Sequence, residues 1–113
     1  MASVSPSETA YEDRRAFPRV SVALPAFLQA NGGRHSVQLL DLSAGGAKLA
    51  CAAPIPVGTG VILDCGTLAL AAEVRWDGPG ILGVAFDRPM DAREVAAMAR
   101  RSTALEARMN AAR

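Results

Sequence analysis

The chain of 113 residues has two cysteines, one histidine, five aromatics, almost no net charge and no long hydrophobic run. Each shortage excludes something. Cys51 and Cys65 form no C-x-x-C pair, and His35 is the only imidazole, so no metal-ligand cluster and no nucleophile–base pair is evident. The expectation is a protein that is not an enzyme and binds no metal. No apolar stretch approaches the ~20 residues of a membrane-spanning helix. The N-terminus, Met1-Ala-Ser-Val-Ser-Pro-Ser-Glu8, has neither the basic nor the apolar region of a secretion signal. A cytoplasmic protein is therefore expected, with both cysteines as buried free thiols. A formal net charge of +1 argues against a general DNA or RNA binder, which carries a basic face. Tyr11, Phe17, Phe27, Trp76 and Phe86 are too few to form stacking platforms for a single strand.

What is present is apolar material in short periodic runs. Half the residues are hydrophobic, enough for one folded domain with a modest core. Residues 1–13 are small and polar and read as a flexible arm. From Val20 the apolar residues alternate: Val20, Val22, Leu24, Ala26, Leu28 and Ala30 share one face of a strand. Pro25 puts that strand at an edge or beside a bulge. Asn31-Gly32-Gly33 is a hairpin turn, and further strands follow over Ser36–Leu42, Ala47–Cys51, Val61–Asp64, Leu68–Trp76 and Ile81–Phe86. In the fifth, Leu68, Leu70, Ala72, Val74 and Trp76 alternate. Six short strands with no helix between them predict an antiparallel barrel or sandwich, and closure removes exposed edges. At residue 91 the composition changes. Asp91 is an N-cap with Glu94 completing a capping box, and the Ala-, Arg- and Glu-rich stretch to Arg113 predicts a helix. Val95, Met98, Leu105 and Met109 form its apolar stripe, interrupted by Ser102. The stripe packs on the barrel or serves a partner.

Two short motifs carry chemistry. Arg14-Arg15-Ala16-Phe17-Pro18-Arg19 precedes the first strand. Pro18 disfavours helical geometry at Phe17, so the segment reads as a loop whose guanidiniums can grip phosphate oxygens or the O6/N7 edge of guanine. Asp41-Leu42-Ser43-Ala44-Gly45-Gly46 ends the second strand. Asp41 can accept from guanine N1–H and N2–H₂. Ser43 can donate to an oxygen or fix the turn. Gly45 and Gly46 can take positive φ and let a flat ligand approach. Each motif alone also has a plain reading, as a solvated basic stretch or an ordinary turn.

In order, and on a six-strand pattern, Arg15-x-x-x-Arg19 and Asp41-x-Ser43-x-x-Gly46 resemble the PilZ domain, a bacterial receptor module for cyclic di-GMP. Val74-Arg75-Trp76 and Gly83-Val84-Ala85-Phe86 are similar to that family's late strands. The resemblance spans roughly residues 12–90. It implies an all-β fold, a six-stranded antiparallel split β-barrel over residues 14–90 that includes the arginine loop, followed by a C-terminal α-helix over 91–113. It implies that Arg15 and Arg19 bind phosphate and guanine, and that Asp41, Ser43 and Gly46 hold a guanine base. A basic residue at Arg14 implies an intercalated pair of ligand molecules. Trp76 either lies near the ligand or packs in the core, and Lys48 adds charge near the site or is simply solvated. The implied function is a single-domain cyclic di-GMP receptor with no other cofactor, a monomer or weak homodimer. It would pass its signal to a downstream protein that controls motility, attachment or exopolysaccharide output. The alternative is a PilZ-like scaffold that binds no nucleotide and works through protein contacts.

Overall fold

The computed structural model of the chain describes residues 19–111. The alternation after Arg19 produces β1 (Val20–Ala30), in which Val22, Leu24, Ala26, Leu28 and Ala30 are all buried. Asn31 and Gly32 take φ of 52° and 76°. That left-handed pair makes a two-residue loop whose twist suits the strands it joins. The chain returns as β2 (Gly33–Leu42), with Gly33 opposite Ala30. His35 lies within this strand and is half-buried, because pairing with β1 begins at the turn itself.

Next come β3 (Gly46–Ala50), β4 (Gly60–Asp64), β5 (Ala69–Gly78), β6 (Ile81–Phe86) and the helix α1 (Ala92–Ala111). The six strands close in the order β1-β2-β3-β6-β5-β4, every neighbouring pair antiparallel. The expected barrel with its C-terminal helix is therefore the fold. Its interior is aliphatic: Leu28, Leu39, Leu42, Leu49, Leu63, Leu82 and Val74 are fully buried, and Ile55 tucks in from the β3–β4 loop. Burying each such side chain is worth about 1.5–3 kcal/mol. Cys51 and Cys65 are free thiols in the same core.

The barrel is not sealed equally on all sides. β1 pairs with β2 along its length, but with β4 only through Phe27, Leu28 and Gln29. Pro25 sits in the stretch that β4 does not reach, so its missing N–H costs no ladder bond there. The expected bulge is also present, between Ser21 and Leu24. Helix α1 lies across this seam. Asp91 accepts from Arg93 N and Glu94 Oε1 accepts from Asp91 N, at 2.8 and 3.1 Å, the reciprocal cap that fixes where the helix begins. Met98 and Ser102 are buried, with Val95 and Leu105 packed at the core's edge. Ala23 of the bulged strand donates its N–H to Ser102 Oγ at 2.8 Å. Arg101 donates to Cys65 O and Thr67 Oγ1, tying the helix to the β4–β5 hairpin. Ser102 therefore does not interrupt the buried stripe. It is the stripe's polar anchor.

Two outcomes follow for stability. Ser102→Ala leaves the Ala23 N–H without its acceptor, and should cost about 1–3 kcal/mol, read as a lower urea midpoint at unchanged slope. Burial pushes the Cys65 thiol up from 9.0 to about 11, against the pull of nearby Arg101 and with a push from Asp64. The folded chain thus keeps a proton that the unfolded chain gives up. This contribution is complete below pH 9.0 and is lost as pH rises through about 11. Urea midpoints of the parent should fall more steeply over that window than those of Cys65→Ala.

Candidate functional site

β2, β3, β6 and β5 lie side by side in the barrel wall, and one row of partners crosses them. Asp41 stands opposite Lys48, Lys48 opposite Gly83, and Gly83 opposite Trp76. Ser21 of β1 extends the row beyond Asp41. Over it opens a cleft of about 420 Å³, which Arg19 and Arg75 also line and to which Leu42, Val84 and Phe86 contribute apolar surface.

Two strands break their period to build this row. On β2, Val37 and Leu39 point inward, and strict alternation would send Asp41 inward after them. The register shifts between Leu39 and Asp41, so Leu40 is an extra residue. Leu42 becomes the buried one and Asp41 faces out. On β5, Ala72 and Val74 are buried, and the alternation predicts Trp76 inside with them. A second shift between Val74 and Trp76 turns the indole outward, where it is 43% exposed. Core packing of Trp76 is thereby excluded. A bulge re-aims side chains in this way at the expense of one unpaired residue.

Trp76 has a specific seat. A Cβ placed on Gly83 would lie 2.1 Å from indole Cε2 and Nε1, so the ring lies directly on the bare backbone of β6. Gly46 is required for a related reason: a Cβ there would meet Val84 O at 2.3 Å. Neither Gly45 nor Gly46 takes the positive φ expected of them; the close approach of β3 to β6 is what needs a glycine at position 46. Ser43 fixes the turn. Its N–H donates to Gly46 O at 2.9 Å and its Oγ accepts from Gly45 N at 3.2 Å. The residue is buried, and its hydroxyl also reaches Gly46 O at 3.4 Å.

Arg19 Nη2 donates to Asp41 Oδ2 at 2.5 Å, joining the end of the first motif to the start of the second. The Arg19 side chain is 43% exposed and that of Asp41 18%, so the pair forms at the cleft rim, where water weakens it. The cleft residues comprise three cations, Arg19, Lys48 and Arg75, and one carboxylate, Asp41. Such a site favours an anion that also offers donors to Asp41.

Of the residues expected from sequence, Arg19, Asp41, Ser43, Gly46 and Trp76 all line this one cleft. Arg14 and Arg15 lie outside the described residues. Lys48 is half-buried in the cleft wall, not merely solvated. Arg75 and Gly83 were not singled out as site residues. The sign that could have found Gly83 is a glycine inside a strand run, which often marks a close approach. Arg75 had no sign beyond its place next to Trp76.

The seat of Trp76 is open to test. Gly83→Ala should push the indole off β6 and move the emission of the chain's single tryptophan to longer wavelength, with a stability loss of about 1–3 kcal/mol. Fluorescence spectra of parent and variant, folded and in urea, measure both.

Comparison with known proteins adds one match: the family model described as PilZ domain covers residues 13–103. No curated protein matches the chain.

Proposed function

The chain belongs to the PilZ domain family, and on that premise we propose that it is a cytoplasmic receptor for cyclic di-GMP, a binding adaptor and not an enzyme. The observation that carries this reading is the Arg19–Asp41 contact inside a cationic cleft. It joins the two ligand motifs of the family at one place on the barrel.

The chemistry follows from the side chains. Asp41 accepts from guanine N1–H and N2–H₂, a paired contact that adenine cannot make in the same way. To do so it gives up Arg19, which turns its guanidinium toward a phosphate or the O6/N7 edge. The exchange costs little, because the pair that is broken is exposed to water. Ser43 and Gly46 act at one remove, holding the turn and the β3–β6 contact that fix Asp41. Trp76 offers an indole edge or face to the base. Arg15 precedes Arg19 by four residues in the first motif. Arg14 and Arg15 thus supply further phosphate and guanine contacts, and Arg14 favours two intercalated ligand molecules. Binding draws the N-terminal segment onto the barrel and changes a surface that a downstream protein reads. Motility, attachment or exopolysaccharide production is the output.

A second reading, a scaffold that binds no nucleotide, is favoured by Met109. It continues the apolar stripe of α1 and is 61% exposed.

Titration calorimetry with cyclic di-GMP distinguishes the two. The receptor should bind, and Arg19→Ala and Asp41→Ala should each lose on the order of 2–5 kcal/mol. No heat with the intact chain, or affinities unchanged in both variants, would sink the receptor reading.

A further inference from the structure

Neither family motif contains Lys48 or Arg75, yet both line the cleft. Their positions are fixed by the backbone. Lys48 faces out from β3 because its neighbour Leu49 is fully buried. It stands in the middle of the row, opposite Asp41 on one side and Gly83 on the other. Gly83 has no side chain, and the indole of Trp76 fills that place. Lys48 therefore lies between the carboxylate and the aromatic ring. Arg75 sits at the bulge of β5, so two consecutive residues, Arg75 and Trp76, both reach the cleft where an unbroken strand would offer one. Asp41, the one carboxylate among the cleft residues, is joined to Arg19. Glu73 faces outward two residues before Arg75 but is not part of the cleft wall. Lys48 on β3 and Arg75 on β5 thus bring two further cations to the cleft beside the Arg19–Asp41 pair.

We infer that Lys48 and Arg75 contact the ligand, forming a second cationic pole that takes a phosphate beyond Asp41, on the β3 and β5 part of the cleft wall. This rests on the receptor reading and deepens it: a ligand with two phosphates is held at both poles, with a guanine between them on Asp41. Lys48 acts as a compact charge and Arg75 as a planar donor pair. A ligand with a single phosphate satisfies only one pole.

The test is titration of the full chain with cyclic di-GMP and, separately, with GMP, using Lys48→Met, Lys48→Arg and Arg75→Gln. Lys48→Met and Arg75→Gln should each weaken cyclic di-GMP binding by about tenfold to a hundredfold, as loss of a charged hydrogen bond does. Lys48→Arg keeps the charge and should restore most of the affinity. Raising the salt concentration should weaken the parent more than a Lys48→Met/Arg75→Gln double variant, because the screened charges are then gone. GMP should bind more weakly to the parent than cyclic di-GMP does. Thermal melts establish that each variant is folded, and both side chains lie on the outer face, where substitutions change stability little. Cyclic di-GMP affinities of Lys48→Met and Arg75→Gln equal to the parent's overturn the second pole and leave the receptor reading standing. Failure of the parent itself to bind cyclic di-GMP overturns both.

Discussion

The two-residue period of a β-strand allots alternate side chains to the core, and the cleft depends on single extra residues that break that period. Leu40 releases Asp41 from the interior and sends Leu42 in its place. The shift on β5 does the same for Trp76. Both breaks fall where β2, β3, β6 and β5 run side by side, so their effects add into one row of outward residues. Without them the carboxylate would be buried among leucines, where an unpaired charge is very costly, and the indole would compete for core volume. The bulges thus let one short stretch of wall serve the core on one side and the cleft on the other.

A third irregularity, on β1, concerns stability more than the cleft. It falls where β4 no longer pairs, and the helix supplies what the ladder lacks there. Ser102 accepts from Ala23, and Arg101 reaches the β4–β5 hairpin. α1 is therefore part of the barrel's closure as well as a cover for its core. Of its apolar stripe, Met109 at the far end is left exposed.

Glycine has two distinct uses in this molecule. At Gly32 it permits the left-handed backbone of a hairpin loop. At Gly46 and Gly83 it permits contact, of backbone with backbone in the first case and of backbone with indole in the second. Gly46, the last residue of the second motif, belongs to the second kind. What it fixes is the position of β3 against β6.

Much of this was legible in the amino-acid order. The alternation from Val20 to Ala30, the Asn31-Gly32-Gly33 turn and the Asp91–Glu94 cap each act within a few residues, so local sequence determined the first strand, its hairpin and the start of the helix. The two motifs and their spacing marked Arg19, Asp41, Ser43 and Gly46 as one site. Tertiary structure alone decided what depends on register. Bulges are set by how neighbouring strands pair, so the sequence left Trp76 open between the core and the cleft, and the shift on β5 decided for the outer face. Lys48 reaches the cleft through the β2–β3 hairpin, but Arg75 is distant in sequence from both motifs, and only the pairing of β3, β6 and β5 brings it there. The same holds for Ser102, a polar gap in an apolar stripe until the helix docks and an unmatched amide of β1 meets it.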